Sequence, residues 1–200
     1  MKVLLASRSP QRKALLEALG VEFEVTEPRV EEMTEGDPSE IVLENARWKA
    51  ASIAAIEAPG TLVIAGDTEV AVDGRALGQP HDEAEANEHL RHLSGREHEV
   101  IGAIALMGPG TDEEGLAQAR EGVVSTTVRM KALDGPLLDA YLASGEWRGR
   151  AGSYAIQGLG SALVEEVSGD LSNVIGLPVA LLLELAPELS GGRGEAFQQG

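Results

Sequence analysis

The sequence predicts an α/β fold, on three observations. Segments with strand-like and helix-like apolar spacing alternate along the chain. Thr61 to Ala65 is a continuous apolar run, the mark of a strand buried on both faces. No internal repeat or linker-like stretch divides residues 1–190, so one α/β domain is expected there. The glycine-rich tail at 191–200 has little to bury and is expected to be mobile.

Each element follows from local signals. Lys2 to Ala6 reads as a short apolar strand. Ser9 then caps a helix with Pro10 at its first position, where a missing N–H costs nothing. Leu15, Leu16 and Leu19 supply that helix's buried stripe, and Gly20 closes it. Val21, Phe23 and Val25 alternate with polar residues as a half-buried strand. A carboxylate-rich segment covers Glu27 to Asp37.

Pro38 and Ser39 open a long helix expected to reach about Glu57. Val42, Ala46, Lys49, Ile53 and Ile56 share one stripe, which sets Lys49 in the middle of the apolar face. Its ammonium either snorkels to water or reaches an anionic site beside the core.

Gly66, Asp67 and Thr68 end the run that began at Thr61. Val70 and Val72 resume as a strand, Asp73-Gly74 forms a hairpin turn, and Ala76 and Leu77 return. Asp82 caps a helix carrying Ala86, Leu90 and Leu93, ended by Gly95. Val100 to Met107 and Val123 to Met130 read as strands joined across a loop at Gly108 to Gly115. Pro136 to Ala143 makes a short helix, and Gly145 to Gly160 is glycine-rich and irregular. Ala162 to Val167 is the last strand, and Pro178 opens a final helix to about Leu189.

Composition narrows the function. The 200 residues hold 16 Lys and Arg against 33 Asp and Glu, for a net charge of −17. That balance excludes simple phosphate-backbone electrostatics, so no nucleic-acid polymer is expected as partner. With 0 cysteines there is no disulfide scaffold, thiolate metal site or cysteine nucleophile. The aromatic residues, 2 each of Phe, Trp and Tyr, are too few for a base-stacking platform. The apolar run at Val3 to Ala6 is too short for a signal peptide, and Leu177 to Leu185 falls short of a membrane span. No membrane association and a cytoplasmic location are therefore expected.

Three segments could carry chemistry. Ser7-Arg8-Ser9-Pro10-Gln11-Arg12 lies between a strand and a helix start, where free N–H groups and the helix dipole favour an anion. Arg8 and Arg12 add forked donors suited to phosphate. The plainer alternative is a capped helix with a basic first turn. Asp67, after its buried strand, stands where open α/β sheets present ligand groups, or else caps a turn with Thr68. Glu31 and Glu32 are carboxylates of the kind that hold Mg²⁺ with phosphate oxygens, or else a solvated loop. Gln157 offers a neutral amide, and Asn173 can bond backbone at the turn before the last helix. His81, His89, His92 and His98 lack metal-ligand spacing, and His89 and His92 read as surface residues.

Taken together, these segments resemble the Maf family of nucleotide pyrophosphatases, from about Lys2 to Leu189. The family patterns are matched by Ala6 to Arg12, Asp67-Thr68, Leu77-Gly78-Gln79-Pro80, Leu93 to Val100, Ala151 to Gly158, and Ser172 to Pro178, in the family's order. The resemblance implies an inosine-triphosphatase-like α/β fold, with a mixed central sheet flanked by helices and two lobes around a cleft. It implies hydrolysis of nucleoside triphosphates to monophosphate and pyrophosphate with a divalent metal, Mg²⁺ or Mn²⁺. The Asp-Thr and Ile-Gln-Gly forms look like the branch acting on dTTP and UTP. Members are often dimers, which leaves a homodimer open. Two departures remove positive charge: Gln11 replaces the first of the family's paired arginines, and Gln79 replaces its lysine.

On that resemblance, Asp67 is expected as general base on a water aimed at the α-phosphorus, with Lys49 its catalytic partner. Ser7, Ser9, Gln11, Arg12 and Gln79 are expected on the substrate, with Thr68 and Gln157 towards base or sugar. Glu32 and Asp67 are expected on the metal. Net acidity does not oppose this, because the field in a cleft depends on its local lining. Two other readings stay open: a nucleotide-binding regulator of cell division with little turnover, and the branch preferring 7-methyl-GTP.

Overall fold

The computed structural model describes residues 1–111 and 117–190. Part of the expected loop at Gly108 to Gly115, and all of the tail at 191–200, lie outside the described residues.

In chain order, the first half comprises β1 (Lys2–Ala6), α1 (Pro10–Ala18), β2 (Glu24–Thr26), α2 (Pro38–Ala54), β3 (Thr61–Val72), β4 (Arg75–Ala76) and α3 (Glu83–Leu93). There follow β5 (Glu97–Thr111), β6 (Ala117–Met130), α4 (Gly135–Ser144), β7 (Val164–Ser168), α5 (Leu171–Ile175) and α6 (Val179–Leu185). One 7-stranded sheet runs in the order β2-β1-β3-β5-β6-β7, with β4 paired to β3. β1 is parallel to β2 and β3, and the remaining pairs are antiparallel, so the sheet is mixed.

Apolar burial divides along this sheet. On one face of its first half, Leu4, Val63 and Ala103 pack under Val42, Ala46 and Ile53 of α2. On the other face, Leu5, Ile64 and Ile104 meet Leu16 of α1 and Leu182 of α6. A separate core gathers Val70, Leu90, Val128, Tyr141 and Trp147 where α3 and α4 cover the far ends of β3, β5 and β6. β3 and β5 run through both regions, which makes two lobes on a shared spine.

The most consequential difference from expectation concerns β3. It does not end at Gly66 but continues through Val72, so Asp67 stands in mid-strand. β1 pairs with β3 only as far as Leu5 opposite Ile64, and then peels away into the Ser7–Ser9 turn. β5 keeps pairing along Val63 to Ala71 and carries the strand onward. Asp67 therefore lies just beyond the carboxyl end of β1, where the sheet splits. Long-range pairing overrode the local Gly-Asp-Thr turn signal.

Smaller corrections have similar causes. β2 pairs through only Glu24, Val25 and Thr26, and Val25 is exposed; Val21 and Phe23 pack against the core before the strand begins. α2 ends at Ala54 and leaves Ile56 75% exposed, off the buried stripe. The expected loop is strand through Thr111, because Gly108 and Thr111 keep pairing with Gln118 and Ala117 across a bulge. The final helix stops at Leu185 because Pro187 disfavours helix at the residue before it, although a further turn still buries Leu189.

α5 was not anticipated. Its Asn173 is fully buried, and it bonds other strands rather than its own turn: Nδ2 donates to Val100 O at 2.8 Å and Thr126 Oγ1 at 3.1 Å. Gly102 on β5 leaves the room, since a Cβ there would stand 1.9 Å from Asn173 Oδ1. This brace fixes the Gly176 turn over β5.

Candidate active site

A cavity of about 780 Å³ opens where β1 and β3 part, between the two lobes. Its walls include Ser7, Arg8, Ser9, Gln11, Arg12, Glu32, Lys49, Asp67, Thr68, Gln79 and Gln157. The residues expected on substrate and metal thus line one space, although their positions span most of the chain, whereas Glu31 and Asn173 are not part of its walls among the described residues.

Asp67 is the centre of its polar network. The residue is buried, and each carboxylate oxygen has a partner: Lys49 Nζ donates to Oδ1 at 2.7 Å and Asn45 Nδ2 to Oδ2 at 3.0 Å. Lys49, itself buried, also lies 3.1 Å from Glu32 Oε2. Its ammonium thus reaches the anionic site, because its place on the α2 stripe faces β3 where Asp67 projects. Asn45, one helical turn before Lys49, also accepts from Met33 N at 2.7 Å and so ties the Glu31–Met33 segment to the network. Asn45 escaped the sequence reading; a polar residue four positions before a buried lysine was its signal.

Glu69 was also missed. It projects from the same face of β3 two residues after Asp67, and its Oε2 is buried without a partner among the described residues. Burial first, and then the nearby Asp67 charge, pushes its carboxyl up to about 7.

The serine-arginine turn is more committed internally than expected. Ser7 Oγ accepts from Ser9 N at 3.1 Å and Arg12 Nη1 at 3.3 Å. Ser9 Oγ donates to Gln11 Oε1 at 3.1 Å and caps Arg12 N. Because Pro10 has no N–H, Gln11 N is the one N–H in the helix's first turn without a partner among the described residues. Arg12 does not fork freely into the cavity: Nε donates to Gly176 O at 2.9 Å and Nη2 to Thr68 Oγ1 at 3.2 Å. Burial lowers its pKa from the ordinary value, against the pull of Asp67 and Glu32, and an arginine so placed remains charged. Gly66 makes this possible, since a Cβ there would crowd Ala103 O at 2.9 Å and stand 3.6 Å from Arg12 Nε. Thr68's hydroxyl is spent on holding Arg12 and on Gly176 O.

The opposite wall comes from the irregular segment after α4. Glu146 accepts from the N–H groups of Leu159 and Gly160, both at 3.0 Å, and so fixes the turn carrying Gln157. Gly152 approaches Val70 too closely for any Cβ, which would meet it at 2.7 Å. Ser153 follows in the left-handed region at φ 64°, held by His89 Nδ1 at 2.8 Å from its Oγ. His89 is therefore a half-buried structural residue and not a surface one. Arg148 and Arg150 also line this wall, and nothing in the sequence had singled them out.

His98 stands behind the wall, with Nε2 2.7 Å from the hydroxyl of cavity-lining Tyr154. Burial pulls its pKa from 6.5 down to about 4. The folded state thus favours the neutral ring, so this stability is whole above pH 6.5 and is lost as pH falls through about 4. Urea unfolding should lose on the order of 3 kcal/mol across that window. His98→Gln should flatten the slope; an unchanged slope would refute this assignment.

Two carboxylates, Glu32 and Asp67, can hold a divalent cation. No group of three or more His, Asp or Glu comes together as a metal cage among the described residues. Both carboxylates already converge on one ammonium within 3.1 Å, and hard oxygen donors of this number suit Mg²⁺ when phosphate oxygens complete its shell.

Comparison with known proteins agrees in extent. The family described as Maf-like protein matches residues 2–189. A dTTP/UTP pyrophosphatase of Deinococcus radiodurans is 42% identical over 92% of this chain and 91% of its own. One from Caldanaerobacter subterraneus subsp. tengcongensis is 41% identical over 99% and 96%. The crystal structure of a nucleoside-triphosphatase / dITP/XTP pyrophosphatase from Mycobacterium abscessus is similar at TM-score 0.45 and 19% identity, over 98% of this chain and 95% of that one. Among the described residues, no helix is long and apolar enough to cross a membrane.

Proposed function

This chain belongs to the Maf-like family, and from that premise we propose that it hydrolyses dTTP- and UTP-type nucleotides to the monophosphate and pyrophosphate. The observation that carries the reading is the buried Asp67 carboxylate, bonded by Lys49 and Asn45 at the head of a cavity lined by arginines.

Asp67 is the general base. With Lys49 and Asn45 fixing its plane, a remaining lone pair takes a proton from water as the water oxygen bonds to the α-phosphorus. The bond from the α-phosphorus to the bridging oxygen breaks, and pyrophosphate leaves with that electron pair. Glu32 and Asp67 hold the divalent metal, Mg²⁺ or Mn²⁺, which when bound supplies neutralisation of phosphoryl charge. Gln11 N and Arg8 meet phosphate oxygens at the first turn. Gln157, whose amide has no partner among the described residues, reads the base or sugar, Gln79 faces the phosphate tail, and Thr68 positions Arg12.

The cavity resolves the apparent conflict with a charge of −17. Among the described residues, Arg8, Arg12, Lys49, Arg148 and Arg150 line it against Glu32, Asp67 and Glu146, so its local balance is positive. Incubated with dTTP or UTP and Mg²⁺, the protein should release pyrophosphate and monophosphate in equal amounts, and chelation should stop it. Inorganic phosphate as the product would contradict attack at the α-phosphorus. A larger rate on 7-methyl-GTP in the same panel would overturn the substrate assignment alone.

A further inference from the structure

The cations of this cavity are not equivalent. Lys49 is held by Asp67 and Glu32, and Arg12 by Ser7, Thr68 and Gly176. Arg148 and Arg150 have no ion pair or hydrogen-bond acceptor among the described residues, and both contribute to the cavity's lining. The carboxylate nearest in sequence, Glu146, is engaged by two backbone N–H groups and does not serve them. Arg150 Nε is buried and has no acceptor among the described residues, and an unpaired buried donor carries a cost.

The segment is also held stiffly enough to bind. Trp147 is buried, and its indole Nε1 donates to Leu142 O at 3.0 Å. The Arg148 guanidinium lies 4.4 Å from that ring's centroid, so its swing is limited before any ligand binds. Between the arginines, Gly149 lies beside Gln79, whose Oε1 is 4.0 Å from where a Cβ would stand. Among the described residues, this wall thus offers two forked cations and a neutral amide, its one carboxylate, Glu146, being engaged by backbone N–H groups.

From the unpartnered Arg150 Nε in this wall, we infer that Arg150, assisted by Arg148, clamps the part of the triphosphate that departs as pyrophosphate. The inference rests on the proposed hydrolysis for the direction of the tail: the α-phosphorus sits at Asp67 on one lobe, and the terminal phosphates cross to the arginines of the other. Guanidinium groups suit this task because each offers parallel donors to two phosphate oxygens.

The test is binding of inorganic tripolyphosphate and pyrophosphate, and separately of dTMP, followed by calorimetry in wild type and Arg150→Gln. Loss of a charge-assisted pair should weaken both inorganic ligands by about tenfold or more, with dTMP affinity unchanged within about twofold. Arg150→Lys, which keeps the charge without the fork, should fall between the two and serves as the criterion if Arg150→Gln does not fold. Equal affinities for tripolyphosphate in wild type and variant, or parallel losses for dTMP, would overturn the inference. So would a wild type that does not bind tripolyphosphate. A wild type that binds it through Arg150 but releases no pyrophosphate from nucleotides would sink the proposed hydrolysis and leave the clamp standing.

Discussion

Asp67→Asn should lower kcat for dTTP by about a hundredfold or more, with KM for the nucleotide changed far less. The substitution keeps the shape of a side chain that is buried on all but its cavity side. What it removes is the capacity to take a proton. An amide also presents N–H towards either Asn45 Nδ2 or Lys49 Nζ, both of which are donors here, so one contact becomes donor against donor. The defect should therefore appear at saturating substrate and persist at high Mg²⁺. A coupled pyrophosphate assay reads it, and a kcat within threefold of wild type would remove Asp67 from the role of base.

Lys49→Met should destabilise the fold as well as stop turnover. Methionine preserves much of the apolar stem that packs along α2, so the change isolates the ammonium. Without it, Asp67 and Glu32 face each other with Glu69 nearby, and only Asn45 still bonds Asp67. Stranding a buried partner of an ion pair costs about 3–5 kcal/mol. Urea unfolding should show that loss, and the Lys49→Met/Asp67→Asn double variant should lose clearly less than the sum of the single changes. Additive losses would mean that the two side chains are not coupled as their 2.7 Å contact implies.

Lys49 was legible in the sequence because a single cation on an otherwise apolar stripe has few ways to be satisfied. The turn from Ser7 to Arg12 was legible as well, since Ser9 and Pro10 mark a helix start by local geometry alone. Asn45, Glu69, Arg148 and Arg150 were not. Each sits in a stretch whose local pattern has an ordinary explanation, a helix surface, a strand alternation or a solvated loop. Their significance depends on partners far along the chain.

Neighbours along the chain were enough to set the alternation of elements, the capped start of α1, the buried face of α2 and the set of polar residues unsuited to a plain core. These follow from interactions over a few positions, so they can be read from spacing. How the polar groups are spent depends on contacts made across the fold. β5 carries β3 past the point where β1 leaves it, which places Asp67 in mid-strand beside the serine turn. Arg12 is committed to Gly176, 164 positions away, whereas Arg150 is left without an acceptor among the described residues. Hydrogen-bond partners are assigned by proximity in space, and that proximity is created only when the sheet closes the long loops between them.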